Sequence, residues 1–262
     1  MQNSGNTILL TGGTSGIGLA LAQRFHTAGN TVIITGRRAA LLDQITADHP
    51  GMIGHPLDVA DAEAVRAFSA RIAADHPALN VVIHNAGIMV AEDVTGDFLD
   101  TAEATVVTNL LGPIRLTAAL MPHLLEQPRA TIMTVSSGLA FVPLVRTPTY
   151  SATKAAIHSW SQSLRAQLRD TGVEVLELAP PAVQTDLRPV RAGGEVPCRA
   201  DQPPFINGRP AHLVGQPQRI QGRGKGQHGE AVKKKEDEAP GGRGMRHGPS
   251  HWRSCRHSVT EG

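Results

Sequence analysis

Cysteines, aromatic residues and long apolar runs are scarce in this chain of 262 residues. Its two cysteines, Cys198 and Cys255, are too few for the framework of a disulfide-rich secreted domain. No apolar run approaches the ~20 residues of a membrane span, and no basic stretch near the N-terminus leads into a signal-type apolar core. These absences argue against membrane and disulfide-rich classes. They predict a globular protein of the cytoplasm with no membrane partner.

The composition changes near residue 188. Residues 1–188 hold 14 glycines and 10 prolines, with 12 Lys and Arg against 16 Asp and Glu. Residues 189–262 hold 13 glycines and 8 prolines in a much shorter stretch, with 13 basic against 7 acidic residues. Such a composition buries too little apolar surface to offset the entropy of ordering. We therefore interpret 1–188 as a folded body and predict a disordered tail over 189–262.

Short apolar runs alternate with helical patterns throughout the body. The apolar runs predict strands at 7–11, 31–35, 81–83, 131–135 and 173–178. The helical patterns fall near 17–28, 39–48, 61–75, 100–126 and 150–170. This alternation predicts an α/β fold of Rossmann type, a doubly wound parallel sheet covered by helices on both faces. Its ligands would lie at the carboxyl ends of the strands, where the strand order reverses.

A glycine-rich turn, from Thr11 to Gly18, follows the first strand and leads into the first helix. Glycines let backbone amides approach a pyrophosphate closely, and the helix N-terminus adds free N–H groups and its dipole. A plain glycine-rich loop is the alternative, but the position within a strand–turn–helix unit favours a dinucleotide site. The predicted contacts are Gly12, Thr14, Ser15, Gly16, Ile17 and Gly18.

The turn and several motifs after it resemble the classical short-chain dehydrogenase/reductase family. The shared features are Thr-Gly-x-x-x-Gly-Ile-Gly from Thr11, Asp58-Val59, Asn85-Ala86-Gly87, Asn109, Ser137, Tyr150 and Lys154. The resemblance spans about residues 7–187, and the stretches around Ser137, Tyr150 and Pro181 resemble the DltE-like subgroup. It implies an oxidoreductase that transfers a hydride between a nicotinamide cofactor and a small alcohol or carbonyl.

The resemblance also assigns residues to the cofactor. Beyond the glycine turn these are Asp58, Val59, Asn85, Ala86, Gly87, Tyr150, Lys154, Pro180, Val183 and Thr185. The Asp58 region would meet the adenine ring, and the loop from Pro180 to Thr185 would contact the nicotinamide. Where the family carries a glycine in that loop, Pro181 stands here, which stiffens the loop and removes a backbone donor.

Four residues form the predicted catalytic set. Tyr150 and Lys154 are four apart on a helix and share one face, and they are the chain's one tyrosine and the one lysine of residues 1–188. The ammonium is expected to lower the phenol's pKa so that it exchanges a proton with the substrate. Ser137 would stabilise the substrate oxygen, with Ser136 expected to bond local backbone instead. By resemblance, Asn109 would hold a water that relays protons to Lys154.

The second strand ends in Gly36, Arg37 and Arg38, where NAD enzymes usually carry an acidic residue. A guanidinium suits the 2′-phosphate of NADP. The sequence therefore predicts that NADP(H) is preferred over NAD(H), with Arg37 ahead of Arg38 as the contact. The alternative is that both arginines simply flank a solvated helix start.

Three further features of the sequence, its histidines, a charged run and the end of the chain, indicate what the protein is expected to lack. The scattered histidines predict no metal site, and the mixed-sign run from Lys233 to Glu238 predicts no specific nucleic-acid partner. Residues 189–262 lack the last strand and the substrate lid of the family, and a shifted reading frame or a genuine extension would explain this. A cofactor-binding but catalytically impaired or unstable relative is therefore the alternative function. By resemblance, a homodimer would form through helices 100–126 and 150–170.

Overall fold

The computed structural model describes residues 1–181, together with the backbone of 205–206 and 209–210. The predicted cofactor contacts Val183 and Thr185 lie outside the described residues. Most of the predicted tail and its boundary at residue 188 also lie outside the described residues. The same holds for the region where the substrate lid was predicted to be missing.

Six parallel strands form the predicted type of sheet in the described part of the chain, five of them at the predicted positions and one, β3, without a predicted range. They are β1 (Thr7–Thr11), β2 (Thr31–Gly36), β3 (Ile53–Pro56), β4 (Leu79–His84), β5 (Ala130–Val135) and β6 (Val173–Ala179). Their spatial order is β3-β2-β1-β4-β5-β6, with parallel pairing throughout. The chain reverses its direction of travel between β1 and β4. That point is the topological switch at which a doubly wound sheet opens a crevice.

Six α-helices connect these strands. They are α1 (Gly16–Thr27), α2 (Ala39–Asp48), α3 (Ala62–Asp75), α4 (Leu99–Val106), α5 (Gly112–Glu126) and α6 (Pro148–Gln167). The helix predicted over 100–126 is interrupted by a π-helical turn at Val107–Leu111. The turn closes where the Gly112 N–H donates to the carbonyl of Val107 five residues earlier, and Pro113, which has no N–H to donate, follows directly.

The core lies on both faces of the sheet. Along β1, Leu9 belongs to one apolar cluster, while Ile8 and Leu10 belong to the other. This follows from the strand's period of two, which sends neighbouring side chains to opposite faces. Helices α3 and α5 cover the first face with residues such as Leu116, and α1 and α2 cover the second with residues such as Leu42.

The continuous helical stretch Leu99–Glu126 is long and apolar enough to cross a membrane by length and composition, with a mean hydropathy of 1.3. Its inner side is nevertheless part of the core, because Leu116, Leu120 and Leu124 are fully buried there. Core helices pass the same length and hydropathy test.

Two short strands extend the sheet beyond β6. Strand β7 (Phe205–Ile206) pairs antiparallel with Leu178 and Ala179, and β8 (Arg209–Pro210) pairs antiparallel with β7. The expectation that nothing after residue 188 joins the sheet is corrected for these four residues. An edge strand offers unpaired N–H and C=O groups to any returning segment, whatever that segment's side-chain pattern.

Candidate active site

The glycine turn after β1 is packed so closely that side chains would not fit. Gly12 and Gly16 have φ angles of 69° and 54°, a region that favours glycine. A Cβ atom on Gly12 would lie 2.8 Å from the Cα of Ala86, and one on Gly18 would lie 2.2 Å from the carbonyl oxygen of Gly12. The glycines therefore let the turn, the start of α1 and the end of β4 meet without intervening atoms.

Asn85 and Thr11 fasten this turn to β4. The Asn85 side-chain amide donates to the carbonyl oxygens of Thr11 (3.1 Å) and Gly12 (3.0 Å). The Thr11 hydroxyl accepts from the backbone N–H groups of Asn85 and Ala86, at 3.1 and 3.2 Å. Thr11 was not among the predicted site residues, although a hydroxyl directly before the first glycine was visible in the sequence.

A cavity of about 360 Å³ lies at the carboxyl ends of the strands, beside the switch between β1 and β4. The predicted cofactor residues that line it are Gly12, Thr14, Ser15, Gly16, Ile17, Gly18, Arg37, Asp58, Val59, Asn85, Ala86, Gly87, Tyr150, Lys154 and Pro180. Lining residues that were not predicted are Thr35, Gly36, Arg38, Leu57, Ile88, Thr108, Val135 and Ser136. One space thus collects residues that the sequence separates by more than 160 positions.

The chemistry of the cavity wall suits a dinucleotide. Helix α1 begins at Gly16, no side chain caps its N-terminus, and its first turn contains no acidic residue. Its first N–H groups therefore remain available to an anion. The buried hydroxyls of Thr35 and Ser136 have no hydrogen-bond partner within the described part of the chain. Since buried polar atoms are normally paired, both hydroxyls fit a polar ligand in this cavity.

Tyr150 and Lys154 line the cavity together, while Ser137 lies near Tyr150 but is not among the lining residues. Tyr150 and Lys154 on α6 are 6% and 5% exposed, and the Lys154 Nζ lies 5.5 Å from the centre of the tyrosine ring. The Nζ donates a 2.8 Å hydrogen bond to the carbonyl oxygen of Val135. The Ser137 side chain lies near the Tyr150 hydroxyl, where it opposes the rise in the pKa of that group that burial causes, and its oxygen accepts from the backbone N–H of Leu139 at 3.1 Å.

Burial dominates the protonation of this pair. Burial raises the pKa of the Tyr150 hydroxyl, and the nearby Ser137 side chain opposes that shift. Burial also lowers the pKa of Lys154 to about 8. The sequence predicted that the ammonium would lower the pKa of the phenol, but the net shift runs the other way. The reason is that both groups leave water together, and desolvation penalises the charged form of each.

Asn109 sits in the π-helical turn and is 2% exposed. Its side-chain oxygen accepts from the backbone N–H of Ile88 at 2.8 Å, and its amide donates to the Ile88 carbonyl at 2.9 Å. The amide also reaches the Thr153 hydroxyl at 3.3 Å. A π-turn re-aims a side chain within a helix and is frequent at functional sites. Here the turn brings Asn109 against Gly87, at the start of the loop after β4. A Cβ atom placed on Gly87 would lie 3.2 Å from the Asn109 Oδ1 and 3.8 Å from the Lys154 Nζ, so both side chains lie close to this glycine.

The two neighbouring serines differ from the prediction in their local bonding. The Ser136 side chain was expected to bond local backbone, but its hydroxyl has no partner among the described residues and lines the cavity. Its backbone N–H bonds the Leu178 carbonyl at 2.8 Å instead. The side chain of Ser137 takes the local backbone role, because it forms the N-cap of the 3₁₀ turn Gly138–Ala140.

Arg37 and Arg38 are both exposed at the end of β2, and both line the cavity. Arg38 is the N-cap residue of α2, yet its side chain makes no capping hydrogen bond. Both guanidinium groups are therefore placed to meet an anion in the cavity. Asp58 is also exposed there, with its carboxylate accepting from the Ala60 N–H at 3.0 Å.

The described residues contain no cluster of three or more His, Cys, Asp or Glu side chains suited to a metal ion.

Glu92 is a site feature that sequence reasoning missed. It lies in the loop after β4, and its Oε2 accepts from the Thr149 hydroxyl at 2.8 Å and from the Thr149 N–H at 3.2 Å. Its own N–H donates to the Arg146 carbonyl at 3.0 Å. These bonds tie the loop after β4 to the start of α6, one residue before Tyr150. The two partners are 57 residues apart, so no spacing rule connects them.

Known proteins are similar to this chain both in sequence and in fold. A family model described as short chain dehydrogenase matches residues 6–193. The uncharacterized oxidoreductase DltE of Bacillus subtilis is 46% identical over 191 residues, which cover 71% of this chain and 75% of the relative. Sulfoacetaldehyde reductase of Chromohalobacter salexigens is 34% identical over 194 residues, covering 72% and 76%.

A solved structure resembles the fold. The closed form of serine dehydrogenase complexed with NADP⁺ has a TM-score of 0.65 and 29% identity, covering 68% of this chain and 73% of that one.

Proposed function

The chain belongs to the short-chain dehydrogenase family of nicotinamide-dependent oxidoreductases, and we propose on that premise that it interconverts an alcohol and a carbonyl with NADP(H). The observation that carries the proposal is that Tyr150 and Lys154 lie side by side on α6 in a cavity whose walls suit a dinucleotide, with the Ser137 side chain close enough to oppose the rise in the pKa of Tyr150 that burial causes. The proton donor Tyr150 thus lies beside Ser137 and the buried Lys154 ammonium, at a place that a substrate oxygen can approach.

The described residues supply the cofactor's contacts. The uncapped N-terminus of α1 would bind the pyrophosphate, Asp58 and Val59 the adenine, and Tyr150 and Lys154 the nicotinamide ribose. When bound, the cofactor gives or accepts the hydride. Arg37 would bind the 2′-phosphate of NADP, since a guanidinium fork matches a phosphate. The NADP⁺ bound by the similar serine dehydrogenase supports this choice.

The side chains near Tyr150 handle the proton. The Tyr150 hydroxyl gives a proton to the substrate oxygen in reduction and takes it back in oxidation. Ser137 accepts from Leu139, so its own hydrogen can be donated to that oxygen as negative charge develops. The Lys154 ammonium stabilises the phenolate that remains. Asn109 holds Ile88 and the adjoining loop in place beside Lys154.

Cofactor titration tests the preference for NADP(H). The Arg37→Ala variant should weaken NADPH binding about 10- to 150-fold, because a lost charge-assisted hydrogen bond costs about 1.5–3 kcal/mol. NADH binding should stay nearly unchanged. Arg38→Ala is the comparison variant, since Arg38 is an adjacent exposed arginine that lines the same cavity, and it should weaken NADPH binding less than Arg37→Ala does. An equal loss for both cofactors in Arg37→Ala would refute the assignment.

A cytoplasmic location and a homodimer through α5 and α6 remain predictions. They rest on the sequence and on family resemblance, and a size measurement in solution would test the dimer.

A further inference from the structure

Two loops beside the cavity carry most of the large apolar side chains that are exposed in the described part of the chain. Val90 and Val94 lie in the loop after β4, while Phe141, Val142 and Val145 lie in the loop after β5. Val142 is 72% exposed and Val145 is 90% exposed. Five exposed apolar side chains on two hydrogen-bonded loops form a candidate interaction surface, whereas single exposed apolar residues are ordinary. We call these five residues the apolar rim.

The two loops that carry the apolar rim begin at the candidate active site, although the five rim residues themselves do not line its cavity. Ile88, two residues before Val90, lines the cavity. Ser137, four residues before Phe141, lies near the Tyr150 hydroxyl and opposes the rise in its pKa that burial causes. The hydrogen bond from the Glu92 N–H to the Arg146 carbonyl joins the two loops directly. A molecule with its oxygen at Tyr150 would therefore extend past the start of both loops.

The loops that carry the rim are anchored. The Phe141 ring packs edge-on against His158 of α6, with ring centres 4.6 Å apart. The Leu144 N–H donates to the Ser151 hydroxyl at 3.2 Å, and the Glu92 carboxylate binds Thr149. A frame of this kind presents Val142 and Val145 outward in a fixed arrangement. Pre-organised apolar surface binds a ligand without the entropic cost of ordering a loop.

We propose that the apolar rim binds the hydrocarbon part of the substrate, so that the enzyme prefers aldehydes and alcohols with extended alkyl or aryl groups. This inference rests on the proposed function. In each reduction the hydride of NADPH adds to the carbonyl carbon and the Tyr150 proton adds to the oxygen, giving the alcohol and NADP⁺. Each methylene buried on the rim should raise kcat/KM roughly three- to fourfold until the rim is covered.

A small anionic substrate is the rival. Arg146 is the one basic residue in the two loops over 88–98 and 138–147, and its side chain is exposed. It could bind a sulfonate or a carboxylate, and the similar sulfoacetaldehyde reductase bears the name of such a substrate. The two loops thus carry one basic side chain and five exposed apolar side chains. Because the apolar side chains predominate, we favour the apolar substrate.

A chain-length series tests the inference. NADPH oxidation would be measured with propanal, hexanal and decanal, and with sulfoacetaldehyde at the same concentrations. We expect kcat/KM to rise at least 30-fold from propanal to decanal, and sulfoacetaldehyde to be poorer than hexanal. The double variant Val142→Ser/Val145→Ser should lower the decanal-to-propanal ratio at least fivefold. Leu125→Ser is the matched control, because it removes an exposed apolar side chain from α5 and should preserve the ratio.

Each outcome separates the two proposals. Turnover of sulfoacetaldehyde above that of every alkanal, or a flat chain-length series, would overturn the apolar substrate while the oxidoreductase stands. No turnover of any carbonyl with either cofactor would overturn the proposed function, and the inference would fall with it. If the double variant changed the oligomeric state but not the ratio, the rim would be an interface between copies of the chain. That result would also overturn the inference.

Discussion

The carboxylate of Glu92 binds both the backbone N–H and the hydroxyl of Thr149, at 3.2 and 2.8 Å. Thr149 lies in the first turn of α6, where free N–H groups and the helix dipole favour a negative charge. The next residue is Tyr150. A side chain from the loop after β4 thus fixes the start of the helix that carries the proposed proton donor.

Glu92→Ala should lower both kcat and thermal stability. Two hydrogen bonds at a helix start are lost, at a cost of about 1–3 kcal/mol, and Tyr150 loses its fixed position. Glu92→Gln keeps an acceptor for Thr149 and should retain most of both properties. Steady-state kinetics and thermal melts of the two variants would measure this. The control is Asp93→Ala, which removes a neighbouring carboxylate that bonds Thr95 inside the same loop. Equal effects at both positions would contradict the role given to Glu92.

The stability of the fold should fall with acidification because of His84. This histidine is buried at the end of β4 against the Thr117 hydroxyl, and burial lowers its pKa from 6.5 to about 4. Between pH 4 and pH 6.5 His84 is protonated in the unfolded chain but neutral in the folded chain, so the free energy of unfolding rises with pH in this range. From pH 7.5 to pH 5 the loss should be about 2 kcal/mol. Urea unfolding at both values would measure it.

His84→Gln provides the comparison for that measurement. The variant removes the titrating group, so its free energy of unfolding should change less between pH 7.5 and pH 5 than that of the wild type. An equal pH dependence in both proteins would show that other groups cause it.

Lys154→Met should stabilise the fold at pH 7 while it destroys activity. Burial lowers the pKa of Lys154 from 10.5 to about 8 in the folded protein. Below pH 8 the folded protein therefore bears the full cost of burying the ammonium, and above pH 10.5 this cost is absent because the group is neutral in both the folded and the unfolded state. Removing the charge should gain about 2 kcal/mol at pH 7 after the lost bond to Val135 is counted. Chemical unfolding at pH 7 and pH 10 would test this. A gain that is the same at both values would contradict the burial argument.

The sequence predicted those parts of the site that depend on local geometry. Tyr150 and Lys154 share a helix face because they are four residues apart, and the glycine turn was recognisable from its place between a strand and a helix. Long-range relations were not predictable. The bond between Glu92 and Thr149 joins distant loops, and the pKa shift of Tyr150 depends on burial that only the packed structure defines. The π-turn at Asn109 was also missed, although Pro113 gave a local signal for it.

The most direct test of the account compares wild-type protein with Tyr150→Phe in two measurements, NADPH binding and carbonyl-dependent NADPH oxidation. The variant keeps the ring and loses the hydroxyl, so NADPH should still bind, weakened at most by the lost ribose contact, while turnover falls about 10²- to 10⁴-fold. Turnover at the wild-type rate in Tyr150→Phe would contradict the proposed mechanism. A wild-type protein that binds NADPH and reduces no carbonyl would instead be the catalytically impaired relative.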